Sequence, residues 1–84
     1  MADSETRIAV IAIIVEDSTK AVEINSLLHE YSSYIIGRMG IPYPAKNVSL
    51  ISVAIDAPSD IINALTGKLG KVEGVTVKTA YSKM

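Results

Sequence analysis

The sequence predicts an α+β fold: a four-stranded antiparallel sheet with two helices on one face, in the chain order βαββαβ. Three observations predict it. Ile8 to Val15 is an unbroken, mostly β-branched run; two later segments repeat apolar residues at helical intervals of three and four; and each helical segment is bracketed by stretches rich in Val, Ile, Thr and Tyr.

The first element, β1, spans Ile8 to Val15 and ends at the polar Glu16-Asp17-Ser18. Continuous apolar character without alternation is the pattern of a strand buried on both faces. Asp17 or Ser18 is suited to cap the next element, because a short side-chain oxygen accepts a free amide of the first turn. Ala21, Ile24, Leu28 and Tyr31 then form one stripe, with Leu27 beside it and Lys20, Glu23 and Glu30 off it, which predicts the amphipathic helix α1. Tyr34 to Ile41 is a weaker strand, β2, in which Gly37 and Gly40 suggest a bulge or a close backbone approach. Pro42 and Pro44 lack a ladder donor, so residues 42–47 are expected to form an exposed loop. Val48 to Ile55 is β3. Asp56-Ala57-Pro58-Ser59-Asp60 then starts α2, whose stripe is Ile62, Leu65 and Leu69 and whose stop is Gly70. Val75 to Tyr81 alternates, with Val75, Val77 and Tyr81 on one side and Thr76 and Lys78 on the other: β4, half exposed.

This order is the ferredoxin-like split arrangement, in which right-handed crossovers put both helices on the same side and leave β1 and β3 central. On β1, Ile8, Val10, Ala12 and Ile14 face one way and Ala9, Ile11, Ile13 and Val15 the other. Two helices cover one of these faces. The other calls for a second subunit, through the sheet face or through an edge-extended sheet, in a dimer or tetramer.

Composition points the same way. A chain of 84 residues makes one domain, here residues 7–84 after a flexible stretch over residues 1–6, and buries only about 60–65% of its unfolded surface. With no cysteine and a single histidine, disulfides and metals do not supply the missing stability, and self-association is the route left. The hydrophobic fraction of 49% exceeds what one two-layer core needs. Eight basic and nine acidic residues, a net charge of −1, give no field for nucleic acid or an anionic membrane, so neither is expected as a direct partner. The acidic start Met1-Ala2-Asp3-Ser4-Glu5 does not fit a secretory signal and the run Ile8 to Val15 is too short to span a bilayer, which leads to a cytoplasmic expectation.

Chemistry is sparse. His29, with Asn25 one turn before it on α1, has no second histidine or cysteine to share a metal, so no metal site and no cofactor are implied. No serine sits in a nucleophile elbow, and no catalytic residue is proposed. Asp17 and Asp56, read as ending parallel strands, could lie near one another as a carboxylate pair; the simpler role of Asp17, Asp56 and Asp60, and the favoured one, is helix initiation. Gly67-Lys68-Leu69-Gly70 has neither the spacing nor the polarity of a phosphate loop. The stretch Ile35 to Tyr43 is the most unusual, with two glycines, a lone arginine, a methionine, a proline and an aromatic. It reads either as a bulged strand entering a rigid turn or as a contact for a ligand or subunit, with Arg38 as planar donor and Tyr43 as wall. Asn25, His29, Arg38 and Tyr43 are the candidate ligand-binding residues.

Four segments carry a family resemblance: Arg7-Ile8-Ala9-Val10, Asn25 to Tyr31, Tyr34 to Tyr43, and Leu65-Thr66-Gly67-Lys68-Leu69-Gly70-Lys71, of which Ile36 to Tyr43 is the most specific. Through them the chain, from about Arg7 to its end, resembles the iron-only hydrogenase system regulators. The resemblance implies a domain similar to ACT domains and to the C-terminal sensing domain of nickel-responsive repressors. ACT domains commonly place a glycine after the first strand for an amino-acid ligand, where this chain has Glu16-Asp17-Ser18. The nickel sensors use several histidines and a cysteine. Neither ligand therefore carries over. The expected function is that of an oligomeric regulatory or ligand-sensing domain of the hydrogenase system, without its own DNA-binding segment, acting through an unknown small ligand or a partner protein. The alternative is a scaffold or accessory protein for hydrogenase assembly. A small enzyme is the reading the residues favour least.

Overall fold

The computed structural model of the protein describes residues 5–83. Strand β1 (Arg7–Val15) leads through a short 3-10 turn at Ser18–Lys20 into α1 (Ala21–Glu30); β2 (Ile35–Tyr43) and β3 (Val48–Ala57) follow, then α2 (Ser59–Gly70) and β4 (Val75–Tyr81). The sheet order is β2-β3-β1-β4 and every neighbouring pair is antiparallel, which is the ferredoxin-like α+β fold read from the sequence. Residues 1–4 of the segment expected to be flexible lie outside the described residues, and Glu5 and Thr6 precede β1 without regular structure.

The register divides the sheet into two faces. Ala9, Ile11 and Ile13 of β1 stand opposite Ile55, Val53 and Ile51 of β3, and all six are buried under the helices. Ile24 and Leu28 of α1 and Ile62, Leu65 and Leu69 of α2 complete that core, together with Val15, Ala57 and Val72. The helical stripes predicted from spacing are thus the ones that pack. No polar side chain is buried among the described residues, so the core is a purely apolar layer.

Three connections position the rest. Asp17 accepts hydrogen bonds from the Thr19 amide at 3.0 Å and the Thr19 hydroxyl at 2.7 Å, capping the 3-10 turn before α1. Gly74 adopts φ +78°, and its carbonyl accepts from the Glu16 amide at 2.7 Å, tying the entry of β4 to the exit of β1. Asn47, at φ 56°, turns the β2–β3 connection, and its side-chain oxygen accepts from the Ser18 hydroxyl at 2.8 Å. The pair ties two loops at one end of the sheet.

Three sequence expectations are corrected. Strand β2 does not stop before Pro42 but runs through it to Tyr43, because β2 is an edge strand with a ladder on one side only, where a proline is tolerated. Asp56 belongs to β3, opposite Ile8, and does not start α2; the helix begins after Pro58, with Asp60 in its first turn. Asp17 and Asp56 are not neighbours, since β1 and β3 are antiparallel and each aspartate follows or sits near the C-terminal end of its own strand, at opposite ends of the sheet. The bulge anticipated from the glycines is present: the register slips between Ile35 and Gly37, leaving Ile36 as the extra residue.

These contacts set measurable expectations. Ile11→Ala, at a fully buried central position, is expected to lower unfolding free energy by about 2–5 kcal/mol in urea titrations, whereas Val22→Ala, 76% exposed, should change it by less than about 0.5. Gly74→Ala should cost about 1 kcal/mol or more, since the added Cβ meets Asp17 Cβ at 3.3 Å in a backbone region that disfavours side chains. The Thr19 hydroxyl and then the Thr19 amide lower the Asp17 pKa from its ordinary value. A depressed folded pKa gives stability that is present above the unfolded value and lost as pH falls through the folded one. Asp17→Ala should therefore flatten the acid limb of the stability profile and leave its alkaline limb unchanged.

Candidate functional site

Because β2 lies at the sheet edge, α1 covers it incompletely, and a cleft of about 250 Å³ opens between them. Its helix wall is Ala21 and Asn25, one turn apart on the same side of α1. Its strand wall is Arg38, Gly40 and Pro42, alternate residues of β2 and hence on one face, with Ile41 between the last two also bordering it. Ser49 and the buried Ile51 of β3 close the base. Small side chains make the space: a Cβ built at Gly40 would meet nothing within 4 Å.

The electrostatics of the cleft are one-sided. Arg38 donates through Nη2 to Asn25 Oδ1 at 2.5 Å. A guanidinium carries five donors, so most of its capacity is left for solvent or a ligand. Among the described residues no carboxylate lies within ion-pair distance of Arg38, in contrast to Lys68, whose ammonium sits 3.6 Å from Glu30 and 5.2 Å from the Tyr31 ring centre. Tyr31, and then Glu30, raise the Lys68 pKa at this link between α2 and α1. Among the described residues no acidic side chain lines the cleft, which presents one positive charge and polar groups from Asn25 and Ser49.

Of the four residues singled out from the sequence, the structure brings Asn25 and Arg38 into contact across the α1/β2 gap. His29 follows Asn25 by one further turn, exposed and outside the cleft lining. Tyr43 stands opposite Val48 on the other side of the sheet from Arg38, by the parity of β2, so it is no wall for that guanidinium. Ala21, Gly40, Pro42 and Ser49 enter the cleft through their small size or position. Gly40 and Pro42 fall within the stretch marked as unusual, while nothing in the sequence marks Ala21 or Ser49. Among the described residues no three His, Cys, Asp or Glu side chains gather as a metal site, and no helix is long and apolar enough to cross a membrane.

A second concavity of about 220 Å³ lies on the uncovered face of the sheet. It is almost wholly apolar, ringed by Ile14, Met39, Ile41 and Leu50 around Ala12 and Ser52.

Comparison with known proteins places this geometry. Residues 7–79 match the TM1266-like family, described as "Iron-only hydrogenase system regulator, putative". Among solved structures, the uncharacterized protein TM1266 from Thermotoga maritima is 41% identical, with a TM-score of 0.89 over 94% of this chain and 100% of that one. The ACT domain from GTP pyrophosphokinase of Chlorobium tepidum is 23% identical, with a TM-score of 0.73 over 95% of this chain and 89% of that domain, a likeness of fold alone. A formyltetrahydrofolate deformylase from Pseudomonas putida KT2440 superposes at a TM-score of 0.67 with 12% identity, over 92% of this chain but 30% of that enzyme. No curated protein gives a significant match. With the family match running through both βαβ halves and the cleft between α1 and β2, the chain belongs to the iron-only hydrogenase system regulator family.

Proposed function

We propose that this chain is a regulatory domain of the iron-only hydrogenase system that senses a small anionic molecule in the cleft between α1 and β2. The family supplies the regulatory setting and the ACT-like fold is compatible with ligand sensing. The observation that carries the ligand class is Arg38: an exposed guanidinium facing a cleft, positioned by the neutral side chain of Asn25 and by no carboxylate among the described residues. With Asn25 as its hydrogen-bond partner among the described residues, the guanidinium keeps donors free toward the cleft.

The ligand's chemistry follows from the lining. A carboxylate or phosphate oxygen pair matches the planar fork of Arg38, and the amide of Asn25 supplies a further donor from its nitrogen. Among the described residues no acidic group lines the cleft to receive an ammonium, so an anion is favoured over a zwitterionic amino acid. Glu16-Asp17-Ser18, after β1, offers no glycine turn for the latter either. Binding would clamp β2 to α1, and β2 is the part of the sheet most open to adjustment, with one ladder and a bulge at Ile36.

The test uses thermal unfolding of the full chain with millimolar phosphate and with a panel of small carboxylates and phosphate esters. A ligand at about a hundred times its Kd adds roughly 2.7 kcal/mol to stability, which for a domain of this size raises Tm by several degrees or more. At least one anion is expected to do so in the wild type, with the shift lost in Arg38→Ala and reduced in Asn25→Ala. Gly40→Val, which fills the cleft from a position where a Cβ is free of contacts, should keep the fold and lose the shift. A shift undiminished in both Arg38→Ala and Gly40→Val, or no shift with any anion, would sink the reading.

A further inference from the structure

The face of the sheet away from the helices is apolar over β1, β2 and most of β3, and turns polar only at β4 and at the Asp56 end of β3. Ile8, Val10, Ala12 and Ile14 of β1 lie between Leu50, Ser52 and Ala54 of β3 and Thr76, Lys78 and Ala80 of β4, with Met39, Ile41 and Tyr43 of β2 beyond β3. Of the large apolar side chains that the described residues leave exposed, only Val22 and Ile36 are elsewhere; Ile8, Val10, Ile14, Met39, Ile41, Tyr43 and Leu50 are all here, between 39% and 59% exposed. Such concentration on one surface is not the scattered exposure of an ordinary monomer.

We infer that this face is the contact between two copies of the chain, stacked sheet to sheet. Its size suits that occupant. Four strands about 4.8 Å apart and about 25 Å long present roughly 500 Å² in plan on each copy. Two such faces together reach the lower bound of about 1,000 Å² for a specific interface, before the relief of the side chains is counted. Its charge suits that occupant as well. Among the described residues Asp56 and Lys78 are the only charged groups on the face, one of each sign, so a face meeting its own copy brings no net repulsion. The small residues Gly37, Ala12, Ser52, Ala54 and Ala80 keep the relief low, which permits the approach of about 10 Å at which twisted sheets interlock. The apolar depression between Met39, Ile41, Leu50 and Ile14 is a socket for a large side chain of the second copy.

The cleft of Arg38 opens on the opposite face, so this contact stands apart from the anion site. Sedimentation velocity and native mass spectrometry of the full chain are expected to give a dimer, or a larger even-numbered assembly, at micromolar concentration. Leu50→Lys and Val10→Lys each place a charge on the face without touching the core and should raise the dissociation constant at least tenfold while the far-ultraviolet circular dichroism stays native. Ile36→Lys, on the bulged edge, should leave association intact. A wild-type monomer at high micromolar concentration would overturn the inference, including the case in which a different protein covers the face. So would association that survives Leu50→Lys but fails in Ile36→Lys, which would assign the contact to the β2 edge. If anion-induced stabilisation persists in Leu50→Lys monomers, the two readings stand or fall separately.

Discussion

Everything in this domain hangs on β1 being apolar on both sides while only one side has helices to meet it. Ala9, Ile11, Ile13 and Val15 are buried to the last per cent, and the intervening Ile8, Val10 and Ile14 are around two-fifths exposed in the single chain. A burial gain of about 25 cal/mol per Å² fixes the first set firmly, since fourteen apolar residues converge there with no polar group to satisfy. The second set contributes little to the fold of one chain. A strand of alternating polarity in the same central place would have built the same monomer and left a hydrophilic outer face.

The same sheet order that centres β1 places β2 at an edge, and the cleft is a consequence of that position. Helix α1 buries Ile24 and Leu28 over the central strands, so its flank at Ala21 and Asn25 overhangs β2 without filling the space above it. Gly40 contributes no side chain, and Arg38 is long enough to bridge the gap to Asn25. A larger residue at either small position would convert the cleft into ordinary packing. The edge also explains how Pro42 can sit inside a strand, and why a bulge at Ile36 is accommodated: both defects fall where only one neighbour must be satisfied.

Much of this was legible in residue spacing. The stripes Ile24/Leu28 and Ile62/Leu65/Leu69 and the run of β1 gave the element order, and the order gave the topology, because handedness and short connections leave few alternatives. What spacing did not give were facts that depend on which side of a strand a residue takes. Tyr43 reads as a neighbour of Arg38 along the chain, yet an odd separation in a strand sends the two to opposite faces once β2 extends through Pro42. Asp56 reads as a helix starter because strand ends carry no sharp signal, and pairing with β1 carries β3 on to Ala57. The contact of Arg38 with Asn25 needed the crossing of α1 over β2, which no local pattern encodes.

Strand β2 supplies a physical link between the two surfaces. Its even members, Arg38, Gly40 and Pro42, look into the cleft, and its odd members, Met39, Ile41 and Tyr43, alternate onto the open face, with Ile41 bordering both concavities. The backbone between them is one ladder with a bulge at its start, so a shift of that backbone at Arg38 would be felt by the side chains on the other side. If both surfaces are used as proposed, linkage requires reciprocity: an anion that favours the associated state must bind more tightly to it, by the factor through which it strengthens association. A sensing domain needs only that a ligand on one face alter the terms of contact on the other, and an edge strand with two dressed faces and a single ladder is the least costly part of this sheet to move.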